Sequence, residues 1–486
     1  MSNYLVTDTE LIATADAIRE KIGSSENLVW GETTGFSLDI QNIPSGGGGG
    51  VITRNDVNFY DYDGTLVASY SAADFANLTE MPPNPSHSGL TAQGWNWSLL
   101  SAKDAVAKNG KLEVGQTYIT SDGKTRIYIE LHEGRLSPYL GIAVNGSVAI
   151  NWGDGSEETI ITSSFSENEG YVNTKHDYAV EGAYVISIES LSGSWWFYNK
   201  DLYYHFLLNG NWGDAELDCV YTAAIKRIEI GSDISEIDDG AFYYCTALKY
   251  ITIPEGVQSI GENAFGNCYN LRFIIFPFNL DVIGEAAFRY CSALKSAILS
   301  NPTYIDEFVF ADCNSLEFIY IPDSVGTIRP STFDKCYSLE SIVIPQALTF
   351  RINSGAFGYC YGLQSVVFKP GIGVIDEGAF SGCSNITSII LSNTITKLES
   401  NSFSDCIRLS SITIPNSVTE IEDEAFGGCW GLGLIRFESS TPPTLGTDVF
   451  RCLLDNCIIY VPSGSLSAYT SAANYPDPNE YTYVEY

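Results

Sequence analysis

Ile414-Pro415-Asn416-Ser417-Val418-Thr419-Glu420-Ile421-Glu422-Asp423-Glu424-Ala425-Phe426-Gly427-Gly428-Cys429 decides the fold of this chain. Ile253 to Cys268 carries nearly the same string, Ile-Pro-x-x-Val-x-x-Ile-x-x-x-Ala-Phe-x-x-Cys. Its phenylalanine recurs at 242, 265, 288, 310, 333, 357, 380, 403, 426 and 450, at intervals of 22 to 24 residues. A cysteine follows three residues after each of the first nine, at 245, 268, 291, 313, 336, 360, 383, 406 and 429. A fixed period of this length predicts stacked units, each burying its apolar edge on its neighbours.

Each unit has the same parts. Leu339 to Pro345 is typical: a short strand whose Ile342 and Ile344 point into the coil, ended by a proline that cannot extend the pairing. A second apolar pair follows, as in Val418 and Ile421, and Ala425 to Cys429 then makes a tight corner with Phe and Cys inside. Nine of the twelve cysteines belong to this period. A stack holds them in a ladder with parallel side-chain vectors, which suits neither a disulfide nor tetrahedral zinc, so buried free thiols are expected. Cys452 and Cys457 could pair, and Cys219 stands alone.

The motif resembles BspA-type leucine-rich repeats, and the resemblance runs over residues 225–452, about ten repeats. It implies a solenoid and a role in cell-surface adhesion or host and matrix binding. Ile458 to Ser465, with Tyr469 after it, resembles the closing strand and cap of that family, so residues 453–486 are expected to be a C-terminal cap.

Four modules precede the repeats. Residues 1–45 read as a helical module. Thr7-Asp8-Thr9-Glu10 is a capping box, and Leu11, Ile12, Ala15, Ile18 and Ile22 form one apolar stripe. Residues 46–52 hold the run Gly46 to Gly50, a flexible joint. Residues 53–125 read as a small α+β domain. It has a strand Val57–Tyr60, a turn Asp61 to Gly64, helices near 71–78 and 101–107, and a hairpin from Thr117 to Ile129 around Gly123. Residues 126–190 read as an immunoglobulin-like β-sandwich. There, Trp152-Gly153-Asp154-Gly155 and His176 to Ile186 resemble the PKD-like family, which implies a spacer or ligand-contacting module. Residues 191–224 form a connector and solenoid N-cap. The fold class expected is therefore mainly β.

Composition limits the partners. Lys and Arg total 25 against 59 Asp and Glu, a net charge of −34. Binding nucleic acid needs cationic neutralisation of phosphate, so nucleic acid is not expected as a partner, and anionic membrane surfaces are disfavoured. No unbroken apolar run reaches membrane-spanning length, so no membrane insertion is expected. The first 21 residues lack the basic and apolar regions of a secretory signal, and no anchor is read after Val484-Glu485-Tyr486.

Phe59 to Leu66 copies the D-x-D-G-T signature of haloacid-dehalogenase-like phosphotransferases, in which two aspartates and magnesium act within a doubly wound domain. The residues that follow show no alternating βαβ pattern, and a strand ending in an Asp-rich turn gives the same letters, so no enzyme and no catalytic residue is expected. The four histidines show no metal-ligand spacing. No cofactor is expected. Asp61 with Asp63, or Asp154 with Glu157, could hold calcium or simply cap turns.

The residues flanking each buried isoleucine point outward on the strand face. In chain order they include Tyr250 and Thr252, Phe273 and Ile275, Ser296 and Ile298, Phe318 and Tyr320, Ser365 and Val367, and Ser388 and Ile390. Tyr250, Phe273, Ile275, Phe318 and Tyr320 form the aromatic-rich stretch and are the candidate receptor-binding residues, although aromatics also stack along ladders for packing alone. Trp95 with Trp97, or Trp195 with Trp196, offers a rival site that could stack on sugars, or else core packing.

Two contexts compete. The repeats suggest a bacterial surface adhesin, for which a signal and an anchor are expected. Thr7 to Lys21, Asn55 to Thr65 and Gly89 to Trp97 resemble modules of tail and other structural proteins of bacteriophages of gut bacteria. That resemblance implies a virion component on the particle exterior. Its N-terminal module would dock on other virion proteins, its repeats would bind a host surface protein or glycan, and a homotrimer is possible. This second context is the expectation the sequence favours.

Overall fold

The computed structural model describes residues 56–109, 111–132, 134–163, 171–197, 208–209, 221–299, 302–322, 324–344 and 351–486. The expected N-terminal helix, the glycine run and Cys219 lie outside the described residues. Contacts divide the chain into residues 1–54 and 55–486, and all the described residues belong to the second unit.

The small domain has a sheet of β1 (Val57–Tyr60), β2 (Leu66–Tyr70), β3 (Leu90–Trp95) and β4 (Leu112–Thr120) in the order β2-β1-β4-β3. Helices α1 (Ala72–Ala76) and α2 (Leu99–Asn109) lie near the two helical stretches read from the sequence. Ser71 caps α1 through a hydrogen bond from the Asp74 amide. Phe59, Phe75, Trp97, Ala102, Val106 and Val114 are buried together as its core.

The expected hairpin around Gly123 does not form. The turn is present, with Gly123 at φ +76° and its amide donating to Thr120 O at 3.1 Å. However, β4 and β5 (Thr125–Leu131) belong to different sheets. Both edges of β4 are taken by β1 and β3, and both edges of β5 by the strands Gly182–Trp196 and Ile225–Glu229. The turn therefore links two domains.

The next sheet joins β6 (Tyr139–Asn151), β7 (Thr159–Ser163), β8 (Tyr171–Lys175), β9 (Gly182–Trp196) and β10 (Leu208–Asn209) to β5. Gly146 on β6 faces Gly193 on β9, both with positive φ. A Cβ at Gly193 would sit 2.0 Å from Asn145 O, so neither position tolerates a side chain without backbone movement. Trp152, Tyr178 and Ile186 fill the interior. Beside them, His176 stacks on Trp152 at 4.6 Å and meets Asp154 Oδ2 at 2.8 Å. This sheet does not end at the repeats. β5 pairs antiparallel with β11 (Ile225–Glu229), the first solenoid strand, so this sheet covers the edge that the solenoid would otherwise expose.

From β11 the chain coils as a solenoid of about eleven turns. The main-face strands run parallel in three paired stretches, Ile225–Glu229 with Tyr250–Thr252, then Phe273–Ile275 to Phe318–Ile319, then Ser341–Ile344 to Ile458–Val461. A second row of two-residue strands, such as Glu236–Ile237 and Glu420–Ile421, lines the next side. The third side is the corner bearing Phe and Cys. Successive Phe rings from Phe265 to Phe450 stack at 4.9 to 5.6 Å with interplanar angles of 15° or less.

The cysteine has a defined role in that corner. The Cys291 thiol donates to Phe265 O at 3.2 Å, and the thiols of Cys313, Cys336, Cys360 and Cys383 repeat the contact one turn apart. The same carbonyl accepts the Cys268 amide at 3.1 Å, so each Phe C=O in the dry corner has two donors. Burial pushes these thiols well above their ordinary pKa. All nine are buried and free, as the ladder geometry requires. Cys452 and Cys457 also carry free thiols. After Val461, helix α3 (Leu466–Thr470) and the strand Thr482–Glu485 close the stack, and Tyr469 is fully buried there.

Candidate binding face

The main strand face is where this architecture presents side chains to a partner, and it has two halves. On the first, Phe273, Ile275 and Tyr320 are buried at 5%, 5% and 9% exposure, and Phe318 is half-buried. They point outward from the coil, as the alternation predicts, but they do not meet solvent. The expectation that this aromatic stretch is exposed is corrected: the sheet of β1 to β4 roofs it.

The roof is closely fitted. β4 lies across the strands Tyr250–Thr252, Phe273–Ile275 and Ser296–Ile298. Tyr60 meets Phe273 at 5.3 Å between ring centroids, and Trp97 meets Tyr320 at 5.8 Å. A Cβ at Gly115 would fall 2.4 Å from Ile275 Cγ2, so the glycine is the socket for that isoleucine. Asn96, fully buried, donates to Phe276 O at 3.2 Å and accepts from the Gly115 amide at 2.8 Å. Gln93 Oε1 accepts from the Glu255 amide at 2.9 Å. Burial raises the pKa of Glu255 beneath this seam. Tyr250 is half-buried at the margin, and Arg227, paired with Glu229, lies 4.9 Å over the Tyr62 ring.

On the second half the same face is bare. Ser341, Ser365, Ser388 and Ser411 form one column, and Val343, Val367, Ile390, Thr413 and Arg436 the next. Val367 is 54% exposed and Ile390 82% exposed. The tripeptide frame Ser-x-Ile shows the contrast directly. Ser296 and Ile298 are 4% and 2% exposed under the roof, whereas the serine of Ser388–Ile390 is exposed like its isoleucine. Arg436 closes the column under the Tyr486 ring at 3.8 Å.

Exposed apolar side chains that the sequence reading did not single out follow five of the nine corner cysteines: Tyr269, Tyr337, Tyr361, Ile407 and Trp430. Tyr337 and Tyr361 stack at 5.0 Å, and Tyr359 is exposed as well. Their signal was available: an apolar or aromatic residue immediately following the Cys. The tryptophans proposed as a rival site are otherwise engaged. Trp97 and Trp195 are buried, and Trp95 packs edge-on against Phe59 at 4.9 Å while donating to Pro82 O.

The remaining sequence candidates are turn residues. Asp61 Oδ1 accepts its neighbour's amide at Tyr62, its Oδ2 lies 2.6 Å from His87, and Asp63 accepts the Thr65 amide. With two antiparallel pairs and a single parallel one, this sheet is not the doubly wound domain that the D-x-D-G-T reading needs. Asp154 is held to about 2: burial alone would raise it, and hydrogen bonds from Ser156 and His176 overcome that. Among the described residues no group of three His, Cys, Asp or Glu side chains is arranged to hold a metal ion. No helix among them is long and apolar enough to cross a membrane.

Residues 216–340 and 326–454 match the family model described as a BspA type leucine rich repeat region. Residues 216–454 are a BspA-type leucine-rich repeat region. Among solved structures, the chain is similar to a leucine rich cell surface protein from Faecalibacterium prausnitzii A2-165, at 24% identity over 53% of this chain and 84% of that one, TM-score 0.31. It is also similar to a leucine-rich repeat protein from Bacteroides ovatus ATCC 8483, at 25% identity over 54% of this chain and 84% of that one, TM-score 0.27. A third is the pneumococcal vaccine antigen PcpA, at 18% identity over 52% and 78%, TM-score 0.32. No curated protein matches the chain. The BspA-type repeats thus cover most of the solenoid.

Proposed function

We propose that this chain is a bacterial cell-surface binding protein that engages a protein or glycan of its target through the bare strand face of its BspA-type repeats, between Ser341 and Arg436. One observation carries the reading: Val367 and Ile390, in register on adjacent strands of a rigid sheet, are 54% and 82% exposed while the equivalent face of the earlier turns is roofed. Large apolar side chains held open to water on a fixed scaffold are the usual core of an interface. The net charge of −34 turns that interface away from polyanions. The PKD-like likeness of the sandwich segment fits a spacer role in the same reading.

The virion reading keeps its original basis, the likenesses of Thr7 to Lys21, Asn55 to Thr65 and Gly89 to Trp97, and gains no support from the relatives found. Location separates the two. In the producing bacterium, the surface reading expects the protein in the envelope fraction and open to protease on intact cells; recovery only in phage particles would overturn it. Replacing Val367 and Ile390 together by Ser should weaken attachment of the purified chain to target cells by about tenfold or more with an unchanged melting temperature. Unaltered attachment would move the site off this face.

A further inference from the structure

The seam between the small domain and the second repeat contains a cavity of about 10 Å³, lined by Tyr62, Gln116, Thr117, Tyr118, Thr252 and Ile275 among others. Two of its lining side chains are almost fully buried, Gln116 at 1% and Thr252 at 3% exposure. Gln116 Nε2 donates to Gly94 O at 2.7 Å and to Thr117 O at 3.0 Å, which fixes the orientation of the amide and leaves Oε1 as its free acceptor. Neither Gln116 Oε1 nor Thr252 Oγ1 has a protein partner, and they do not bond each other. They come from opposite sides of the seam: Gln116 from β4 of the roof and Thr252 from the end of the strand Tyr250–Thr252.

We propose that this cavity is a water-binding site, and that one ordered water bridges Gln116 Oε1 to Thr252 Oγ1 and thereby fixes the register of the roof on the repeats. The volume suits a single water and nothing larger. The chemistry suits water as well: the amide oxygen only accepts, the hydroxyl donates or accepts, and water supplies either role. Leaving both groups dry would cost the desolvation of two buried polar atoms. The neighbouring contacts, Ile275 in the Gly115 socket and Phe273 under Tyr60, are apolar and tolerate small shifts. A bridged polar pair is directional and selects one register.

The test uses the full chain. A crystal structure at a resolution that shows ordered solvent should place one water within hydrogen-bond distance of both atoms, and an electron-density map without it would overturn the proposal. Thr252→Val keeps the shape and removes the hydroxyl, whereas Thr252→Ser keeps the hydroxyl. The Glu255 amide, which crosses the seam to Gln93, reports by hydrogen exchange. We expect Thr252→Val to raise its exchange rate about tenfold and Thr252→Ser to leave it near that of the parent. Equal rates in Thr252→Val and the parent would show that no bridging water holds the seam, and so would loss of the water in Thr252→Ser.

Discussion

At the residue scale the corner of each turn explains why Phe and Cys travel together. The Phe carbonyl lies where neither a strand nor a helix supplies donors, and the thiol of the next turn supplies one. Cys360→Ala should therefore lower the unfolding free energy by about 1–2 kcal/mol in a urea titration, through a lost donor and a small cavity. Reactivity should follow burial. Half-buried Cys452 should take a thiol reagent in native buffer, while the ladder thiols react only after denaturation. Rapid native labelling of Cys360 would contradict the ladder. The corner also demands left-handed backbone two residues before and two after the Phe, as at Ala286 (φ +53°) and Gly382 (φ +73°). A side chain at Gly382 would meet that conformation and, in addition, Tyr359 Cδ1 at 2.7 Å. Gly382→Ala should cost about 1–2 kcal/mol, whereas Ala286→Gly should be neutral or mildly stabilising. The period was legible in the sequence because Phe and Cys are invariant parts of the corner. The left-handed sites were not, because Tyr, Asp, Asn, Lys and Gly all occupy them.

At the element scale, the alternation of buried and outward residues was fully legible: Ile342 and Ile344 are buried, and Val343 and Val367 point out. What the sequence could not carry was pairing. β4 and β5 read as a hairpin because a Gly-bearing turn joins two alternating runs, and local signals do not say which sheet captures each edge. The second row of strands gives a prediction of its own. Asp238, just after the strand Glu236–Ile237, is raised to about 6, first by burial and then by Asp239 and Glu236. Its folded value lies above the unfolded one, so the folded state binds the extra proton between about pH 4 and 6. Stability from this group is therefore greatest at low pH and falls as pH rises through 6. Asp238→Asn should raise the unfolding free energy at pH 7 to 8 by about 1–2 kcal/mol at most for a partly solvated group, and the melting temperature with it, and change both little near pH 4. An equal gain at both pH values would show that the charge is not the cause.

At the scale of the whole molecule, the consequential departure from the sequence reading is the roof. Tyr250, Phe273, Ile275, Phe318 and Tyr320 were legible as an outward aromatic stretch, and that is the chemistry by which the sheet of β1 to β4 packs on Phe273, Ile275, Phe318 and Tyr320. No local pattern says that a segment about 160 residues upstream supplies the partner, because the complementary feature is a glycine, Gly115, whose significance is the absence of a side chain. The roof and the solenoid thus stabilise each other, and the partner site proposed here lies on the later turns. Gly115→Val tests this. The valine would have to displace Ile275, whose Cγ2 lies 2.4 Å from a Cβ at this position, and overpacking of this kind costs about 1–3 kcal/mol. Since Asn96, Gln93 and Tyr60 engage the repeats from the same domain, the loss should be shared across the seam. It should speed exchange of the Glu255 amide and increase binding of a hydrophobic dye as Phe273, Ile275 and Tyr320 open to solvent. Attachment through Val367 and Ile390 should persist, because those strands are held by their own stacked turns and not by the roof. If Gly115→Val instead abolished attachment while leaving Ile390 in its native environment, the roofed half would be part of the binding face after all.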